Sequence, residues 1–175
     1  MTPDRIRDAV RQALGKRLLD DRIVERSVGT NTRRAIYDLW LTVPPDALHD
    51  AVAELVGRFA PHFTVISGDD LGESISFIYH FTVGWGERFG EVSVNLRTTV
   101  EKANLRLPTL TDLIPGAQTS EREKHEFYGL EVLGIPDDRN LFLPEDSTIH
   151  PWRKDLEGET ERFVHRAVEW EATDE

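Results

Sequence analysis

Residues 74–83 read SISFIYHFTV, and Ile75, Phe77, Tyr79, Phe81 and Val83 fall on alternate positions. Residues 91–97 repeat the pattern with Val92, Val94 and Leu96. Only the seven residues GWGERFG, 84–90, separate the two runs. Two period-two runs joined by a short glycine-rich link predict an antiparallel pair with one apolar and one polar face. The apolar face must be covered, so helices are expected to pack on it. The glycines of 84–90 resemble a phosphate-binding loop, but their spacing differs and no helical pattern follows, which leaves a hairpin turn.

Upstream, Thr2 and Pro3 read as the N-cap and first position of a helix carrying Ile6, Val10, Leu14 and Leu18 on one stripe. Extended segments are predicted over 22–28 and 34–43, around the turn residues Gly29, Thr30 and Asn31. Pro44, Pro45 and Asp46 open a second helix with Leu48, Val52, Leu55, Val56 and Phe59 on one face, and Pro61 closes it. A strand over 63–67 completes the order α-β-β-α-β-β-β. This is an α+β arrangement, an antiparallel sheet with helices packed on one face, and not a doubly wound nucleotide-binding fold. From about Lys102 the periodicity weakens, and from Leu107 short helices and loops are expected. The division is therefore a core over 1–101 and an extension over 102–175, packed on the core as a single structural unit. Residues 159–170 are expected to form a last short helix, with 171–175 frayed.

The 175 residues include 32 acids and 21 bases, a formal charge of −11 that repels nucleic acid and anionic headgroups. No cysteine is present, which removes disulfides, cysteine-ligated clusters and thiol nucleophiles. His49, His62, His80, His125, His150 and His165 are scattered, with no metal-ligand spacing between any two. His80 is expected on the solvated face of its strand. The N-terminal residues lack the apolar stretch of a signal peptide, and no run approaches a membrane span. The expectation is a cytoplasmic protein, held at a membrane, if at all, through other subunits.

The densest segment runs from Thr119 through Glu145 and resumes at His150-Pro151-Trp152-Arg153-Lys154-Asp155. Ser120 and Glu123 read as a capping box, and Gly129 as the C′ residue closing a helix over 121–128. Seven of those eight side chains are polar, charged or amphipathic, so the helix has almost no apolar stripe with which to dock. Its charges are met either by other groups of this chain or by another chain.

These residues resemble the signature of the 30 kDa subunit of NADH:quinone oxidoreductase, the respiratory complex I. Glu121-Arg122-Glu123 followed by Phe127-Tyr128-Gly129-Leu130 matches its first part. Gly134, Pro136-Asp137 and Arg139 match the second, and Pro151 with Arg153-Lys154-Asp155 the third. Upstream, LPTLTDLIPGA (107–117) is similar to a further stretch of that family. Glu126 stands where the signature has aspartate, Ile135 where it has histidine, Asn140 where it has a second arginine, and Thr119 where it has tryptophan.

The resemblance implies a cofactor-free structural or assembly subunit in the hydrophilic arm of a membrane-associated complex, peripheral to the inner face of the cell membrane. Its implied partner is the large hydrogenase-like (49 kDa type) subunit, beside other subunits of that arm. No catalytic, cofactor-binding or metal residue is implied. The expected partner-binding residues are Glu121, Arg122, Glu123, Tyr128, Arg139, Arg153, Lys154 and Asp155. Arg122 and Arg153 offer planar bidentate donors for such an interface, while an internal pairing of Arg122 or Lys154 with Asp155 or Glu123 would staple the extension to the core. A subunit of a related membrane-bound hydrogenase complex, or a free-standing protein-binding adaptor, are the alternatives.

Overall fold

The computed structural model describes residues 1–30, 34–87, 90–145 and 147–156. The expected helix over 159–170, the frayed end 171–175, His165 and the turn residue Asn31 lie outside them. Helix α1 (Pro3–Leu14) starts at Pro3, with Thr2 as an extended N-cap that makes no side-chain capping bond. Strands β1 (Asp20–Val28) and β2 (Arg34–Thr42) follow, then α2 (Leu48–Phe59), β3 (His62–Asp70), β4 (Ser74–Val83) and β5 (Val92–Glu101). Beyond β5 come the short β6 (Arg106–Pro108), α3 (Gln118–Tyr128) and β7 (Glu131–Leu133).

The main sheet has the order β1-β2-β5-β4-β3. Three of its pairings are antiparallel, and β2 with β5 is parallel. The α+β class holds with a mostly antiparallel sheet. Nothing in the sequence pattern announces the parallel pair, because periodicity fixes a strand's faces and says nothing of its neighbour. A second departure lies after Leu107, where loops and helices are expected. There β6 and β7 form a small parallel pair, with Leu107 beside Val132.

Ile75, Phe77, Tyr79, Phe81 and Val83 are all buried, as are Val92, Val94 and Leu96, so the period-two pattern predicts the core face residue by residue. Ile6, Val10 and Leu14 of α1 and Leu48, Val52 and Leu55 of α2 close over that face. Fully burying each such side chain contributes about 1.5–3 kcal/mol. The same hydrophobic cluster continues through Leu105, Leu107, Leu110, Ala117, Tyr128, Leu130 and Val132. His80 points from the opposite face, half-buried, between Ser67 and Asn95. No helix among the described residues is long and apolar enough to cross a membrane.

Candidate partner-docking site

Helix α3 begins earlier than its sequence suggests. The proline turn Pro115–Ala117 feeds it at Gln118, and no side chain caps its N-terminus. Ser120 therefore lies inside the helix, and the expected Ser120–Glu123 capping box does not form. Glu123 instead accepts from Lys124, at 2.5 Å. The C-terminal end follows expectation: Gly129 takes φ 74° and its N–H donates to the carbonyl of His125.

The missing apolar stripe is replaced by buried polar anchors. Glu121 is 1% exposed, and its carboxylate accepts from the Thr109 hydroxyl and the Leu110 amide, each at 2.6 Å. Burial pushes the Glu121 carboxyl up, against the pull of those two bonds, and Asp112 adds to the rise. Glu126, 2% exposed, accepts three successive backbone amides, from Leu141 (2.9 Å), Phe142 (3.0 Å) and Leu143. Tyr128 donates to the Gly68 carbonyl on β3 at 2.8 Å and meets Phe77 edge-on. A Cβ at Gly68 would fall inside the Tyr128 ring, so glycine there permits the close approach of helix and strand.

The arginines also turn inward. Arg122 donates to the carbonyls of Arg139 (2.8 Å) and Asn140 (3.1 Å) and lies 3.3 Å from Asp137. Arg139 grips Asp137 with two bonds, which hold that carboxyl well below the usual carboxylate range. Arg153 does the same to Asp155, which also takes Lys102 at 2.9 Å. Asp70, 3% exposed, is the centre of this second cluster. It pairs with Lys102 at 2.7 Å and accepts the Lys154 amide at 2.9 Å, while the Lys154 ammonium donates to its backbone carbonyl at 2.6 Å. The pairing of Arg122 or Lys154 with Glu123 or Asp155 does not occur. Each of the eight expected partner-binding residues has a partner within the chain.

What this scaffold holds outward is aromatic. Phe142 is 72% exposed, and its ring stacks within 9° of parallel on Phe127, at 5.9 Å. Trp152, 41% exposed, also meets Phe127, with ring centroids 4.4 Å apart. The Lys124 ammonium sits 4.7 Å from the Trp152 ring. His150 donates to the Glu126 carbonyl (2.8 Å) and Trp152 to that of Phe127 (3.1 Å), which fixes the third signature part against the first. The rim is charged: Arg139 and Lys154 are 70% and 65% exposed. Sequence reasoning misses Glu126, Asp70, Lys102, Phe142 and Trp152 as functional residues. For Glu126 a signal exists, since the signature also places an acid there.

A Cβ at Gly129 would stand 2.7 Å from the His150 ring, in addition to occupying a left-handed φ. Gly129→Ala is expected to cost about 1–2 kcal/mol from the dihedral alone, plus the displacement of His150. Gly116→Ala, whose Cβ meets no atom within 4 Å, is the matched control. Equal urea midpoints for the two variants would contradict this account.

Among the described residues no three His, Asp or Glu side chains gather as metal ligands do. What the site offers is a partly apolar surface framed by charges.

The fold and sequence have known counterparts. Over 91% of this chain and 91% of the other, the fold matches a chain in the structure of the membrane-bound sulfane sulfur reductase, an archaeal respiratory membrane complex, with a TM-score of 0.66 and 21% identity. The membrane-bound hydrogenase subunit beta of Pyrococcus furiosus is 35% identical over 108 residues, 61% of this chain and 62% of that one. The C/D polypeptide of NADH-quinone oxidoreductase from Phocaeicola vulgatus is 31% identical over 119 residues, 67% of this chain but 22% of that longer one. The chain thus spans only part of the length of either relative. Residues 41–162 match the family model of the respiratory-chain NADH dehydrogenase 30 kDa subunit, a span that takes in most of the sheet, α3 and the whole aromatic patch. The chain belongs to that family.

Proposed function

We propose that this chain is a cofactor-free structural subunit in the hydrophilic arm of a membrane-associated NADH:quinone oxidoreductase-type complex. It braces the large hydrogenase-like subunit of that arm on the inner face of the membrane. The observation that carries the proposal is Phe142. A phenylalanine left 72% exposed loses the stabilisation of burial, yet a buried glutamate and three backbone amides hold its loop in place. Rigid aromatic rings on a preorganised loop, inside a charged rim, are the make-up of an interface centre. In this reading Glu121, Arg122, Glu123 and Tyr128 shape the surface from beneath. Arg139, Arg153, Lys154 and Asp155 line its edge.

The identity of the partner is supported by the relative named C/D, in which the region matching this chain is 22% of a single polypeptide. A unit joined to its neighbour in one chain is a unit that works against it. The relative from Pyrococcus furiosus supports a second reading, in which the parent complex is a membrane-bound hydrogenase and the docking surface is the same.

Phe142→Ala and Trp152→Ala test the proposal. Each is expected to weaken binding to the large subunit by about 2 kcal/mol or more, as central aromatic residues of interfaces do. Stability of the isolated protein should change by only about 0.5 kcal/mol for the solvent-facing Phe142. Pull-down and urea titration on each variant separate the two quantities. Normal assembly of both variants would remove the patch from the interface.

A further inference from the structure

The main sheet has two faces, and the helices occupy one. Across the other runs a row of one residue per strand: Arg22, Trp40, Asn95, His80 and Val65, from β1 to β3. Beside it lie Arg97 and Ile78 in one flanking row, and Asp38 with Val24 in the other. A face made only for water would be polar. Here Val24, Ile36, Trp40 and Ile78 are half-buried, while the described helices bury their apolar residues in the core on the other face.

Its charge is also out of keeping with the chain. In a protein of net charge −11, the outward positions of β1, β2 and β5 carry Arg22, Arg26, Arg34 and Arg97 against three acids, Asp20, Asp38 and Glu101. Asp38 is already engaged by Arg26 at 2.8 Å. Arg97 lies over the Trp40 ring at 5.2 Å, a stacking that leaves the guanidinium edge free to donate in its plane. Neither Arg22 nor Arg97 has a carboxylate partner among the described residues. The floor beneath is fixed: the two ring nitrogens of His80 reach Asn95 Oδ1 at 2.7 Å and Ser67 Oγ at 2.9 Å. Little ordering remains to oppose binding.

We propose that this open face docks an acidic, partly apolar segment of a second polypeptide. Its carboxylates would take Arg22 and Arg97, and an apolar side chain would lie against Trp40 and Ile36. A nucleic acid or an anionic membrane suits the face less well, because an extended polyanion meets the repulsion of the whole chain. A short acidic segment meets only the local cations. The face lies on the side of the sheet away from α3, so the proposal stands independently of the aromatic patch.

The probe is a dye-labelled peptide alternating glutamate with leucine, titrated into the full chain at physiological salt, with an uncharged serine–leucine peptide as its control. The glutamate peptide should bind, and the serine peptide should not. Arg22→Glu with Arg97→Glu should weaken binding by about tenfold or more, as should Trp40→Ala. Arg22→Gln with Arg97→Gln repeats the test if charge reversal disturbs folding. Phe142→Ala should bind the peptide like the parent chain, so failure here and failure of the patch are distinguishable. Equal binding of both peptides, or indifference to the arginine variants, would overturn the proposal. So would a dimer in sedimentation that the charge reversal dissolves, since the occupant would then be a second copy.

Discussion

Glu126→Ala is expected to free the loop over 140–143 and to lower stability by on the order of 3 kcal/mol, at the upper end of the distribution for single substitutions. The three amides of Leu141, Phe142 and Leu143 converge on one carboxylate that is 2% exposed. Hydrogen bonds to a charged acceptor contribute about 1.5–3 kcal/mol each, so their sum would exceed the expected loss. The loss is smaller because the loop can open and return its amides to water. Opening has a functional consequence: Phe142 leaves its stack on Phe127, and the patch loses its shape. Glu126→Gln keeps the volume but turns an NH2 group towards donors, leaving at least one amide unmatched, and should fall between the two. Hydrogen exchange reads the effect directly. If the amides of 141–143 stay protected in Glu126→Ala, the carboxylate does not organise the loop. If they are lost while binding to the large subunit persists, the patch is not the interface.

Much of the fold can be read from the sequence because burial imposes a period. The strand over 74–83 is legible to the residue, since one face of β4 is wholly buried and each register slip would expose five large side chains. The limits of α1 and α2 follow from Pro3, Pro45 and Pro61. Neighbour order leaves no such trace, and the parallel pair of β2 with β5 is invisible to periodicity. Helix α3 misleads for a different reason. A carboxylate that caps a turn from within looks like a solvated one in the sequence, so Glu121 and Glu126 read as surface charge. The pattern SxxE predicts a helix start that Pro115 and Ala117 have already supplied. Phe142 and Trp152, in stretches without periodicity, give no sign that both meet Phe127.

Two of the buried acids, Asp70 and Glu121, should respond to pH in opposite senses. Burial by itself would raise the Asp70 carboxyl, but the Lys102 ammonium and the amides of Lys154 and Gly72 outweigh it, and the carboxyl lies below its ordinary value. A carboxyl depressed in the folded state adds stability above its unfolded pKa of about 3.9 and loses it as pH falls through the folded value. Glu121 is raised instead, so its contribution is present below the unfolded pKa and fades as pH climbs through the folded one. Acid should therefore unfasten the Asp70 cluster while leaving the Glu121 anchor in place.

Asp70→Ala isolates that cluster. It leaves Lys102, whose side chain is 11% exposed, with Asp155 as its remaining partner, and it strips the acceptor from the Lys154 amide. Removing one member of a buried ion pair costs about 3–5 kcal/mol, and the surviving Asp155 should keep this case near the lower bound. The gap between parent and variant should be widest near neutral pH and close as pH falls towards the titration of Asp70 in the parent. A gap that stays constant down to the acid transition would mean that the carboxylate is not the source of the stability. The same variant bears on how the chain is divided. We propose that the sheet is the harder unit and the extension beyond about Lys102 the softer one. Exchange should then accelerate first at the Lys154 amide and across 135–151, while the amides of β4 and β5 remain protected. The cluster ties Lys154 and Asp155 to Asp70 at the end of β3, so its loss detaches the signature's last part without touching the apolar seam between the helices and the sheet. If β4 and β5 instead lose protection in step with 135–151, the ion cluster and the sheet melt as one cooperative body. The continuous hydrophobic cluster from Ile6 to Val132 would then set the true boundary of the core.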